Sequence, residues 1–200
     1  RILGFNHDEL AEPTEAYGSS TATGKAGISF EYVDFLTSTK MNSSNTNSGG
    51  WANTALRGTL NGTTYNSLSI KNSIKKVKKE YIPTYNTAPT TMPTTDDYIW
   101  LLSCGEIWDN GYNNGITRGR AIATEGKQYK YYKINSGSTK YITLTSNNIT
   151  KKPSASNSNW WWLRSPDYYA GTYFCSVNFY GDCSMNAASG SYGVAPGFSI

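Results

Sequence analysis

The sequence has one histidine, His7, and three cysteines, and charged residues fill only 16% of its 200 positions. Each scarcity excludes something. A serine or cysteine nucleophile usually needs an adjacent base. His7 sits in a terminal Gly-Phe-Asn-His-Asp-Glu-Leu stretch that reads as a turn with a hydrogen-bonded structural histidine. Cys104, Cys175 and Cys183 make no CxxC or Cys/His cluster along the chain, so neither zinc nor any other metal or cofactor is expected. Cys175 and Cys183 could pair across a hairpin, or all three could stay reduced and buried. An odd count leaves both readings open. No apolar stretch approaches the roughly 20 residues of a membrane span. No signal peptide is visible, and a start at Arg1 reads as a mature or excised segment. Neither GxxxxGK[ST] nor GxGxxG occurs, and the two arginines of Gly115 to Arg120 are a poor substitute as an anion grip. The carboxylates Asp8, Glu9, Asp96, Asp97, Glu106 and Asp109 are placed by no catalytic motif, so the chain reads as non-enzymatic.

Net charge is +4, and five lysines fall between Lys71 and Lys79. The remaining surface is close to neutral, so no nucleic-acid partner is expected. The lysine run reads as a solvated face or a guarded edge strand.

What the chain has is tyrosine and tryptophan, 16 and six, among many Gly, Ser, Thr and Asn. That mix favours turns and short strands, with enough apolar area for one domain over 1–200. Alternation predicts a strand at 1–5, a strand entering a short helix or turn over 26–36, a charged strand at 73–82 and a buried one at 98–102. Later strands are expected at 140–144, 160–166, 173–177 and 193–200. Trp51, Ala55, Leu56 and Leu60 predict a helix over about 50–61, capped by Asn47 or Ser48 and stopped by Asn61-Gly62. A second helix is predicted over 125–133, and 83–97 reads as a long loop.

The last segment is different in kind. From Ser165 to Ile200 there is no Lys, Arg, Glu or His. Tyr168, Tyr169, Tyr173, Phe179, Tyr180 and Tyr192 are interleaved there with Ser, Asn and Gly. Tyrosine offers large, stiff contact area, and Ser, Gly and Asn offer adaptable hydrogen bonding, which is the composition of a paratope. An aromatic β core with polar turns has a similar composition. The adjacent pairs Tyr168-Tyr169 and Phe179-Tyr180 favour display, because neighbours in a strand face opposite ways.

Ile2-Leu3-Gly4-Phe5-Asn6-His7-Asp8, the Met41 to Trp51 stretch, Leu101-Leu102-Ser103, Gln128-Tyr129, Trp161-Trp162-Leu163-Arg164-Ser165-Pro166 and Gly193-Val194-Ala195-Pro196-Gly197-Phe198 carry a resemblance. The sequence resembles a bacterial and phage domain family of C-type-lectin-like fold that includes the variable proteins of diversity-generating retroelements. The resemblance implies an α+β C-type-lectin-like fold: small twisted antiparallel sheets, two short helices, long loops and paired terminal strands. It also implies a C-terminal segment, within 160–200, whose exposed positions are rewritten by adenine mutagenesis. Those positions would be Asp167, Tyr168, Tyr169, Tyr173, Ser176, Phe179, Tyr180, Asp182, Ser184, Asn186, Ser189, Ser191 and Tyr192. Trp161, Trp162, Leu163, Val177, Val194 and Phe198 would be core. Met185 does not fit, since an Asn codon ending in a pyrimidine cannot become Met by adenine changes alone. The implied partner is a protein or cell-surface ligand, met on a cell surface, outside the cell or on a phage particle. The oligomeric state is left open. Two alternatives share the fold. One is a calcium-independent glycan-binding adhesin module; Trp108-Asp109-Asn110 scrambles the calcium motif of sugar-binding lectins. The other is an enzyme of the formylglycine-generating type, which would use a cysteine pair for copper; nothing around Cys175 and Cys183 matches it.

Overall fold

Short aromatic and β-branched runs punctuated by Gly, Asn and Ser are strand chemistry, and strands dominate the chain. A computed structural model describes residues 1–12, 24–108, 125–135, 149–151 and 159–200. Among these residues there are eleven strands in three sheets. The first sheet has the order β1 (Ile2–Phe5), β2 (Ile28–Glu31), β11 (Gly197–Ser199), β6 (Ile99–Trp100). The second has the order β3 (Thr37–Thr39), β10 (Tyr192–Val194), β7 (Trp161–Pro166), β8 (Tyr173–Val177), β9 (Cys183–Ala187). The third pairs β4 (Val77–Glu80) with β5 (Thr94–Asp97).

This overturns the expected α+β C-type-lectin-like fold: the domain is β-rich. Among the described residues the one substantial helix is the 13-residue run 55–67, made of α1 (Ala55–Thr59), a π turn (Leu60–Thr64) and α2 (Tyr65–Ser67). Of the others described, α3 (Cys104–Ile107) is a single turn and α4 (Lys130–Asn135) has six residues. The terminal strands do not pair either, because β2 lies between β1 and β11. The expected long loop at 83–97 ends in β5, where Asp97 accepts from Trp51 Nε1 at 2.8 Å and Arg57 Nε at 2.7 Å. The strand expected at 140–144, Gly115 to Arg120 and Asp109-Asn110 lie outside the described residues.

The helix also runs past its expected stop. A 3-10 turn covers Gly50–Asn53, and Thr54 then caps α1 by accepting from Arg57 N at 3.1 Å. Asn61 does not end the helix. Its side chain takes the part of a strand neighbour to β6: Oδ1 accepts from Tyr98 N at 2.7 Å and Ile99 N at 3.2 Å, and Nδ2 donates to Ile99 O at 2.8 Å. The π turn at Leu60–Thr64 accommodates that reach. Asn61→Ala leaves these strand groups unpaired, and it is expected to cost about 1–3 kcal/mol in urea unfolding.

The central sheet has a core on each side. Trp161, Leu163, Cys175 and Val177 pack into one cluster with Leu102, Ile107 and Tyr129. Trp162, Phe174 and Val194 pack into the other with Met41, Trp51 and Leu56. Alternate residues of β7 and β8 therefore face opposite cores, and all six residues of β7 are buried. Gly193 is fixed by close approach, since a Cβ there would fall about 2.2 Å from the Phe35 ring. Among the described residues, no helix is long and apolar enough to cross a membrane.

Candidate recognition surface

The turn joining β8 to β9 is built from its own side chains. Asn178 Oδ1 accepts from Tyr180 N and Asp182 N, both at 2.9 Å. Asn178 N donates to Asp182 O, and Gly181 takes φ +90°, a conformation side chains disfavour. This fixed turn points two aromatics outward: Phe179 is 41% exposed and Tyr180 67%. Their ring centroids lie 4.1 Å apart. Behind them Phe179 meets the half-buried Trp160 at 6.3 Å, and Trp160 meets Tyr192 at 6.4 Å. Tyr192 stands edge-on to buried Trp162 at 4.9 Å. The patch thus rests on the core through Trp162. Asp182 and Ser191 are exposed nearby in sequence, and Ser184 is half-buried on β9.

A second aromatic group lies at the opposite end of β8. Asp167 Oδ1 accepts from Tyr169 N at 2.8 Å and Ala170 N at 3.1 Å, closing the turn before β8. Tyr169 is 58% exposed and Tyr168 half-buried, their rings edge to face at 5.2 Å. Five residues of β8 separate the two turns, about 17 Å at strand rise. The expected surface is therefore two patches, not one continuous band.

The thirteen expected positions divide accordingly. Tyr169, Phe179, Tyr180, Asp182, Ser189 and Ser191 are exposed. Tyr168, Tyr173, Ser184, Asn186 and Tyr192 are half-buried. Asp167 and Ser176 are corrections: both are fully buried. Asp167 is the turn lock just described, and Ser176 accepts from Asn186 Nδ2 at 2.9 Å. Neither can be displayed. Trp160, expected only as the start of a strand, joins Phe179 to Tyr192. Its place beside the polar Asn159 at the strand's start was the available signal.

The sequence profile of DUF6273, a domain of unknown function, matches residues 23–200. The chain belongs to the DUF6273 family. The match covers both the aromatic strand β7 and the C-terminal strands. No curated protein and no solved structure matches the chain.

In its interior the DUF6273 domain carries a buried ionic frame. Arg164 of β7 grips Glu106 with two bonds, 2.6 and 3.0 Å, and donates to Leu101 O at 2.8 Å and Glu80 O at 2.9 Å. Glu106 also closes a capping box with Ser103 at the start of α3. Lys79 bridges Glu106 at 2.6 Å and Asp8 at 2.8 Å. Asp8 accepts further from Tyr129 Oη, Ser29 Oγ and Ser199 Oγ. Burial alone would raise the Asp8 carboxyl, but the Lys79 ammonium and the hydrogen bonds from Lys79 and Ser29 hold it down at about 2. Glu125 goes the other way: burial outweighs the pull of Arg164 and lifts it to about 8.

His7 is part of this frame. Its ring stacks on Tyr129 at 4.0 Å, Nε2 lies 3.1 Å from Lys127 O, and burial lowers its pKa. A cleft of about 120 Å³ opens over the frame, lined by His7, Lys25, Lys78 and Lys127 among others. The Asp8, Lys79 and Glu106 groups in its wall are committed to one another.

Proposed function

We propose that the domain is a non-enzymatic recognition module, working outside the cell or on a phage particle. It binds a protein partner through the Trp160, Phe179, Tyr180 and Tyr192 patch. The observation that carries this reading is the β8–β9 turn. A turn locked by Asn178 and Gly181 has no folding need to hold two large aromatics in water. Exposed rigid aromatics flanked by Ser and Asn are the usual anchors of protein recognition. From Ser165 to Ile200 the only charged side chains are Asp167 and Asp182, and depletion of charge is a mark of interface centres. The Tyr169 turn, about 17 Å away along β8, would be a separate contact.

Programmed variation would act alongside binding, at the exposed and half-buried positions alone. The buried frame explains how such positions could change without loss of fold. The test is an array of extracellular proteins and glycans, probed with the chain and with a Phe179→Ser/Tyr180→Ser variant. Protein ligands that weaken at least tenfold with the variant, at unchanged Tm, support the reading. Ligands indifferent to the variant, or glycans alone, would overturn it.

A further inference from the structure

The three cysteines of the chain are spread over 79 positions, and the fold brings all three sulfurs to one point. Cys104 opens α3, Cys175 sits mid-way along β8, and Cys183 opens β9. In the β8–β9 register Cys183 lies opposite Val177, so Cys175 and Cys183 are diagonal neighbours on one face. The three Sγ atoms lie within 4.8 Å of one another, with Cys104 and Cys183 at 3.8 Å, and none is in a disulfide.

We propose that Cys104, Cys175 and Cys183 form a three-thiolate site for one thiophilic d10 cation of the zinc group. Thiolates on a tetrahedral ion, at a metal–sulfur distance of about 2.3 Å, stand about 3.8 Å apart. Cys104 and Cys183 already stand at that spacing, and no pair of the three is more than 4.8 Å apart. A disulfide needs sulfurs about 2.05 Å apart and leaves the third thiol over. Core packing accounts for one buried cysteine at a time, but it does not call for all three to converge from separate elements.

The surroundings suit an ion that enters from one side. Cys104 and Cys175 are fully buried, and Cys183 is half-exposed, which leaves the fourth position to water. Cys104 is held in place by its N–H, which donates to Ser165 Oγ at 2.9 Å, and by the Ser103–Glu106 capping box. Three S–H protons exchange for three metal–sulfur bonds: M²⁺ + 3 RSH gives [M(SR)₃]⁻ + 3 H⁺. No electron is transferred.

The test titrates Cd²⁺ into the reduced 200-residue chain without oxygen and follows the thiolate-to-cadmium charge-transfer band. One ion per chain is expected. Cys183→Ser is expected to keep the circular dichroism of the fold, lower the band to roughly two-thirds and weaken binding at least tenfold. Cys104→Ser and Cys175→Ser should do the same wherever they fold; if they do not, the half-exposed Cys183 position decides. A folded, reduced chain without a stoichiometric band overturns the site. So does a Cys183→Ser variant that titrates like the parent.

Discussion

Replacing Arg164 by methionine is expected to destabilise the domain by about 3–5 kcal/mol, a large share of the roughly 5–15 kcal/mol that holds a domain folded. The side chain is fully buried in β7 and satisfies four acceptors at once: both Glu106 oxygens, Leu101 O and Glu80 O. Methionine fills similar space but leaves Glu106 with Lys79 as its ion-pair partner and strands two buried carbonyls. Lysine is no remedy. It keeps the charge but cannot reproduce the planar two-bond grip. Arg164→Lys is expected to recover under half of the loss. Urea midpoints at neutral pH measure both variants, and a loss under about 1 kcal/mol for methionine would refute the role given to Arg164.

Glu125 should control how stability changes with pH. Its carboxyl is fully buried, and burial lifts it to about 8 in the fold, against about 4.5 when exposed. The unfolded chain therefore gives up this proton first as pH rises. The contribution of Glu125 is fully present below about pH 4.5, and it declines until pH passes about 8, by up to about 5 kcal/mol. Glu125→Gln removes the titration. The variant is expected to gain on the parent steadily between those limits and to run parallel to it outside them. Asp8 has the opposite sign. Held at about 2, it adds about 2 kcal/mol above the ordinary carboxylate range, lost as pH falls through about 2. Urea unfolding from pH 2 to 9 separates the two effects, Asp8 acting below about pH 4 and Glu125 above it. An unchanged slope in Glu125→Gln would count against a protonated Glu125 at neutral pH.

Local chemistry carried much of the strand pattern. The run Tyr173 to Val177 has its aromatic and β-branched residues in place and forms β8 at those bounds. Trp161, Trp162, Leu163, Val177 and Val194 are core because β7, β8 and β10 are covered on both faces. Long-range pairing was not legible. Thr94–Asp97 looks like loop until it pairs with Val77–Glu80, and Cys183–Ala187 is too polar to read as strand without β8 beside it. The helix stop failed at Asn61 because its amide serves Tyr98 and Ile99, 37 and 38 positions away. The C-type-lectin-like expectation leaned on bracket motifs, but short motifs fix local packing and do not fix strand order.

The candidate surface shows the same division. Adjacent aromatics suggested display, and Tyr169, Phe179 and Tyr180 do face water. Composition could not separate a displayed polar residue from a buried one. Asp167 looked like a surface aspartate, yet it locks a turn, and Ser176 looked like Ser184 but faces the interior. The convergence of Cys104 with Cys175 and Cys183 was equally hidden, since it depends on α3 packing near β8 and β9.

On the proposed reading, a rigid frame carries a surface whose side chains serve recognition and not folding. The most direct measurement is a substitution scan of residues 160–200, scored separately for protease resistance and for binding to an array-identified protein ligand. Substitutions at Phe179 and Tyr180 are predicted to abolish binding while leaving protease resistance intact, and those at Arg164, Asp167, Ser176 and Gly193 to lose both. If substitutions at Phe179 and Tyr180 instead lower protease resistance and leave binding unchanged, the patch is part of the core and the account is contradicted.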